Sequence, residues 1–336
     1  MNPSISAHSV PRISILVAAR NEADNIGRCL RALDALDYPK SQLDIWIGND
    51  LSTDATEELI QNYIAGKSHF HYRLIAEPWP GLKGKANVLA QLARDARGEY
   101  FFFCDADIAV QPTWLHNMLG QFKDNVGVVV GVTRMTPTGS FAAMQSIEWL
   151  VSLGTMRFFS YWKIPFTGMG NNMAVTREAY LATGGYEAIE FSIVEDYALF
   201  QAILSRGYAF VQAFRPGLVS VSEPAPTFSQ LLRQRKRWVK GAMQAPLLIR
   251  LTFYASALFL PLLLVLLMFL PNVAMTLAGL HFLLVACVAI LTLLILNQPD
   301  LYRYVPVFWL YFLVINPIML INYLLPAPVQ WKGRTY

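Results

Sequence analysis

Asp105 and Asp107 follow directly on the apolar run Tyr100-Phe-Phe-Phe-Cys104, which sets two carboxylates at the carboxyl end of a buried strand, where open α/β sheets bind ligands. Mg²⁺ or Mn²⁺ prefers carboxylate and phosphate oxygens and takes few protein ligands, so this pair suffices to hold a metal against a diphosphate. A solvated turn at a strand end would use the same two residues, and the pattern gains weight from what comes after it. Glu195-Asp196 opens a helical stretch with a carboxylate able to accept a proton, or one that only favours the helix dipole. Gln234, Arg237 and Trp238 lie within about one helical turn of each other, just ahead of a long apolar segment. They pair a charge-spreading cation with a flat apolar face; a basic helix anchored by Trp at headgroup depth would have the same composition.

The ordered set D-x-D, E-D and Q-x-x-R-W resembles the family 2 glycosyltransferases, specifically the membrane-attached branch that includes cellulose and hyaluronan synthases and ceramide glucosyltransferases. The resemblance covers residues 13 to 245. It implies a GT-A fold and metal-dependent, inverting transfer of a sugar from a nucleotide sugar, expected to be UDP-linked. It also implies roles. Asp105 stands nearer the donor ribose and Asp107 ligates the Mg²⁺ or Mn²⁺. Asp196 is the general base, Arg237 beside Gln234 reaches the donor diphosphate, and Trp238 stacks under the acceptor sugar. Asn49-Asp50-Leu51-Ser52-Thr53-Asp54 resembles the family's D-D-G-S-x-D element, which gives Asp50 the nucleobase. Asn49 replaces its first Asp and Leu51 its Gly, so a stiffer loop is expected. Glu22, after the first strand, and Lys85, in Gly84-Lys-Ala-Asn87, resemble donor-pocket residues, although Gly84-Lys85 could equally be an ordinary helix start. Thr167 to Ala174 resembles the acceptor-side strand, and Trp331-Lys-Gly-Arg334 a tail found in lipid-modifying members.

These residues need a scaffold and an anchor. The 336 residues are 54% hydrophobic and 15% charged, more apolar than one soluble domain requires. The excess lies in Leu247 to Leu270, Val273 to Leu296 and Val305 to Leu325, each long enough to cross a hydrocarbon core about 30 Å thick. Arg250 is the one formal charge among the three, which favours membrane helices over a buried bundle. The net charge is +4, and the basic residues gather between Arg233 and Arg250, which suits anionic lipid headgroups and not nucleic acid. Cys29, Cys104 and Cys287 are scattered and suggest neither disulfides nor zinc. Met1 to Pro11 is polar, without a secretory signal, so the catalytic part is expected in the cytoplasm and the chain in the inner membrane as a multi-pass protein. Three crossings would put the tail opposite the catalytic domain, yet Lys332 and Arg334 prefer the cytoplasmic side. One segment should therefore be re-entrant or interfacial, and Pro261 with the short Pro271-Asn272 connection points to the first region.

Along the first 130 residues short apolar runs alternate with helix-period segments, the pattern of a Rossmann-like α/β domain. Strands are expected at Ile13–Val17, Leu43–Ile47, Tyr72–Ala76, Tyr100–Cys104 and Val126–Val132. One helix should carry Ile26, Leu30, Leu33 and Asp37; another should be capped by Asp54 with Glu57 as its reciprocal partner. The aromatic stretch around Trp149, Phe158 and Trp162 reads as core or membrane-surface packing, or else as faces on which sugar rings stack. The expected organisation is a GT-A catalytic domain over residues 1–225, an interfacial amphipathic helix over 226–246, transmembrane helices over 247–325 and a tail over 326–336. Three spans are few for a polysaccharide channel, so a lipid acceptor is favoured over a saccharide chain; the alternative is a processive polysaccharide synthase subunit with partner proteins.

Overall fold

The structure is a computed structural model that describes residues 10–166, 169–192, 194–243, 247–326, 330–331 and 334–335. Its first half alternates strand and helix: β1 (Ile13–Ala19), α1 (Ile26–Asp34), β2 (Leu43–Asn49), α2 (Thr56–Ile64), β3 (Phe70–Leu74), α3 (Gly84–Asp95), β4 (Tyr100–Asp105) and α4 (Trp114–Leu119). The run Ile13, Ile15, Leu16 and Val17 is wholly buried, as expected of a parallel strand covered on both faces. In α1, Ile26, Cys29, Leu30 and Leu33 form the buried stripe; the helix stops short of Asp37.

The central sheet has seven strands in the order β3-β2-β1-β4-β7-β5-β8. Strands β5 (Val126–Val130), β7 (Asn172–Thr176) and β8 (Ala209–Gln212) complete it, and β7 runs antiparallel to both β4 and β5. The strand expected over Val126–Val132 is two strands. It breaks at Gly131, where a Cβ would stand 2.3 Å from Asn172 Oδ1, and resumes as β6 (Val132–Met135), which pairs with β9 (Val219–Ser222) in a small second sheet. Asn172 joins the two sheets: its amide donates to Val132 O, Leu218 O and Ser220 Oγ, and Trp114 Nε1 donates to its Oδ1 at 2.9 Å. The sheet reverses its winding between β1 and β4, and this switch opens a crevice at their carboxyl ends.

Four further helices follow, α5 (Ser140–Ser160), α6 (Arg177–Ala182), α7 (Glu195–Ser205) and α8 (Phe228–Ala242), and all but α6 border that crevice. Helix α8 starts at Thr227, whose Oγ1 accepts the Gln230 N–H. Three apolar helices come next, α9 (Leu247–Phe269), α10 (Pro271–Ile295) and α11 (Val305–Leu324), then a ribbon of β10 (Gln330–Trp331) and β11 (Arg334–Thr335). By length and composition, three helices among the described residues could cross a membrane. They are not appended loosely. Ala289, Leu293, Leu296, Leu301, Val305 and Phe308 belong to the same buried cluster as Phe101, Val130 and Leu150.

Candidate active site

A cleft of about 1120 Å³ runs from the carboxyl ends of β1 and β4 to α8, α9 and α11. Glu22, Lys85, Asp105, Asp107, Asp196, Gln234, Arg237 and Trp238 all border it. Residues separated by more than 200 positions are thereby brought to one surface, because β4 ends at the sheet's switch point and α7 and α8 close over it.

The polar end is a network of charges. Lys85, in the first turn of α3, places Nζ 2.5 Å from Asp105 Oδ1 and 3.1 Å from Glu195 Oε1. Burial alone would depress this ammonium, but the charges of Asp105, Glu195 and Asp196 outweigh it and hold its pKa well above the usual lysine value. Asp196 accepts the Gly170 N–H at Oδ2 (2.5 Å) and the Tyr197 N–H at Oδ1 (2.8 Å). Burial, and then the neighbouring Glu195 charge, push its pKa up to about 6, against the pull of Lys85 and the two N–H groups. A carboxylate so raised is a better proton acceptor near neutrality than an ordinary Asp. Gly170 makes this approach possible: a Cβ there would lie 3.0 Å from Asp196 Cβ and 3.1 Å from Lys85 Nζ. It belongs to the stretch expected to line the acceptor side, of which Thr167 and Gly168 lie outside the described residues.

Asp107 stands two residues beyond Asp105 and accepts a hydrogen bond from Ser222 Oγ at 3.1 Å, while Arg28 donates to its backbone carbonyl at 2.5 Å. Oδ1 of Asp105 is buried against the Lys85 ammonium. Among the described residues no group of three or more His, Cys, Asp or Glu side chains is arranged to enclose a metal. Asp105 and Asp107 offer hard carboxylate oxygens, which could hold a divalent cation that takes its other ligands from substrate and water.

Asp50 does not border this cleft. It is buried one loop away, with Arg20 NH1 3.9 Å from its Oδ1 and its N–H donating to Ala19 O. The departures from the D-D-G-S-x-D pattern have local explanations. Asn49 donates its amide to Tyr72 OH (3.0 Å) and Glu57 Oε2 (3.3 Å), which an Asp cannot do, and accepts from Ser52 N. Leu51 takes the left-handed conformation, φ 52°, that Gly would occupy without strain, and its side chain points outward. Asp54 does not cap α2, whose N-cap is Ala55; its carboxylate accepts from the Thr56 and Ala23 N–H groups and so ties together the loops after β1 and β2.

Helix α8 presents Gln234, Arg237 and Trp238 to the cleft, but two of its basic residues do not face lipid headgroups as their charge suggested. Arg235, 2% exposed, forms a bidentate pair with Glu148 of α5 (2.9 and 3.1 Å), and Tyr311 of α11 donates to the same carboxylate at 2.6 Å. Lys236 is buried and donates from Nζ to Leu325 O at 2.7 Å, just beyond α11. The Arg235 guanidinium lies 4.2 Å from the Trp238 ring centre, and Trp149 lies 4.3 Å from it. Trp238 is thus seated between neighbours on α5 and α8. The sequence pointed to neither Glu148 nor Tyr311, and to Arg235 only as part of the basic face of α8. The one local hint was a lone Glu within an otherwise apolar stretch of α5.

At its other end the cleft turns apolar. Phe253 of α9 and Phe312, Ile315 and Met319 of α11 line it, with Trp149 and Met156 of α5. The same continuous space therefore joins a carboxylate and ammonium cluster to side chains of membrane-length helices.

The sequence model of glycosyl transferase family 21, which has the family 2 fold, matches residues 2–336. A beta-monoglucosyldiacylglycerol synthase of Nostoc sp. is 27% identical over 251 residues, 70% of this chain and 50% of its own length. A poly-beta-1,6-N-acetyl-D-glucosamine synthase of Staphylococcus aureus is 28% identical over 242 residues, 71% of this chain and 56% of its own length. The chain thus spans about half the length of these curated relatives. Among solved structures, the mannosyltransferase PcManGT of Pyrobaculum calidifontis, in complex with GDP-Man and Mn²⁺, superposes with a TM-score of 0.56 at 21% identity, covering 92% of this chain and 87% of that one. The shared fold is GT-A.

Proposed function

Because the chain belongs to glycosyl transferase family 21, we propose that its cleft transfers a sugar, with inversion, from a nucleotide sugar to a hydroxyl of a membrane lipid. The observation that carries this reading is the two-ended cleft, charged where β4 ends and apolar where α9 and α11 form its wall. A lipid acceptor needs such a passage, because its headgroup must reach the base while its chains stay among apolar side chains. Asp196 takes the proton of the attacking hydroxyl, at the raised pKa its burial provides. Lys85 holds Asp105 and Glu195 in place by ion contacts, and Arg237 and Gln234 face the donor diphosphate from α8. Trp238 offers a flat edge to the acceptor sugar or headgroup. A Mg²⁺ or Mn²⁺ held by Asp107 and Asp105 would neutralise the departing diphosphate, and the archaeal mannosyltransferase structure carries Mn²⁺ with its donor. Glu22 borders the donor side, and Asp50, buried behind it, is assigned the nucleobase by motif alone. On this reading the catalytic domain works at the cytoplasmic face of the inner membrane.

The staphylococcal relative supports a second reading, in which the acceptor is a growing polysaccharide. Incubating membranes that contain the protein with a panel of labelled nucleotide sugars, then separating lipid from polymer, distinguishes the two. Label in the lipid extract is expected. Label in polymer favours the second reading, and label in neither fraction with any donor sinks both. Excess chelator and Asp107→Ala should each abolish transfer; activity that persists in chelator would mean the diphosphate is held by cations of the chain alone.

A further inference from the structure

Length and composition make α11 as good a membrane span as α9 or α10. Its contacts say otherwise. Just before α11, Arg134 of β6 pairs with Asp300 at 2.6 Å. Within it, Val305 and Phe308 are buried in the catalytic core cluster, and Tyr311 donates to Glu148 of α5. Toward its end Ile315 and Met319 pack with Ala225 and Leu231, Asn322 donates to Leu232 O at 2.9 Å, and Leu325 O accepts from Lys236. The first, middle and last turns therefore all rest on β6, α5 and α8 of the same α/β domain. A 20-residue helix that crossed a bilayer would carry one end about 30 Å from a domain at the membrane surface.

We infer that α11 lies along the membrane surface, with one side on the catalytic domain, a second against α9 and α10, where Trp309 Nε1 donates to His281 Nδ1 at 3.0 Å, and its exposed side in lipid, and that only the α9–α10 hairpin enters the bilayer. The outward side of α11 suits such a position. Val307, Val314 and Ile321 are 54%, 50% and 59% exposed and recur every seventh residue, so they form one apolar stripe along the helix. The hairpin behaves differently: around its turn Met268, Phe269, Leu270 and Met275 are each more than half exposed and belong to neither of the catalytic domain's main core clusters. A hairpin returns the chain to the side it left. The segment after α11, with Lys332 and Arg334, then lies on the catalytic side, which is where juxtamembrane basic residues are favoured. The tension in a three-span topology disappears, and the irregular segment is the third, not the first.

Spin labels on single cysteines at Val307, Val314 and Ile321, in the full chain with Cys29, Cys104 and Cys287 replaced by Ala, measure this directly in reconstituted bilayers. Oxygen and nickel-chelate accessibilities should report one common depth for the three sites. A crossing helix would spread them over about 21 Å. The inference is overturned by a monotonic depth gradient from Val307 to Ile321. An arm that leaves the cysteines untouched uses epitope tags before Met1 and after Tyr336, probed by protease in sealed vesicles of one orientation. Both tags should be cleaved or protected together; tags on opposite sides also overturn it.

Discussion

Asp196 is raised to about 6 because it is buried and sits beside Glu195, and that shift fixes the sign of the pH dependence. The base form is the deprotonated one, so kcat/KM should be flat above pH 7 and fall as pH drops through about 6, reaching roughly one tenth at pH 5. Lys85 opposes the shift, so Lys85→Ala should move this limb to higher pH as well as weaken the site. An acidic limb near pH 4 in the unmodified enzyme would remove Asp196 from the base role. Asp196→Asn should leave donor binding close to normal while turnover falls by at least about 10²-fold. Gly170→Ala provides an independent check on geometry. The added methyl must displace either Asp196 or Lys85 by a few tenths of an ångström, and misplacement on that scale should lower kcat more than about tenfold with Tm little changed. Wild-type turnover in Gly170→Ala would show that the close approach to Asp196 does not matter.

Helix α8 holds its motif in place through α5 and α11, and the joint is the Glu148–Arg235 pair with Tyr311. Glu148→Gln leaves a buried guanidinium without its counter-charge, which by analogy with other broken buried pairs costs about 3–5 kcal/mol, read as a fall in unfolding midpoint. Tyr311→Phe removes only a hydrogen bond and should cost about 1 kcal/mol. Trp238→Ala should cut transfer strongly while Trp238→Phe keeps part of it, because an aromatic face against Trp149 remains; equal rates in both variants and wild type would reduce Trp238 to an anchor. These elements also mark what the sequence could and could not convey. The D-x-D at the end of β4 is legible because buried parallel strands read as apolar runs and their ends are where ligands bind, whereas the motifs after it are legible only through the family resemblance. The inward turn of Arg235 and Lys236 was not legible, since their partners Glu148 and Leu325 lie 87 and 89 positions away and amphipathic spacing says nothing of such pairs. The antiparallel insertion of β7 between β4 and β5 was likewise hidden, because it depends on long-range pairing and not on local period.

For the whole molecule, the end of α10 and the start of α11 are part of the catalytic domain's interior and not a detachable tether. Leu293, Leu296, Leu301, Val305 and Phe308 are all wholly or nearly wholly buried in the cluster that also holds Phe103 and Leu150 beneath the sheet. The same integration predicts the outcome of truncation. A chain that ends at Ala242, after the Q-x-x-R-W helix, keeps every residue bordering the charged end of the cleft, yet exposes the faces of α5 and α8 that α10 and α11 cover, including the buried pair of Glu148 and Arg235. Phe308→Ala alone should cost about 3–5 kcal/mol, comparable to a large share of the stability of an ordinary domain, and removal of all three helices should therefore give an aggregating or unfolded product. Size-exclusion chromatography and thermal unfolding in the presence of a nucleoside diphosphate test this. A truncated chain that is monomeric, binds the nucleotide and melts at the temperature of the full-length protein in detergent would show that the helices are an anchor and nothing more.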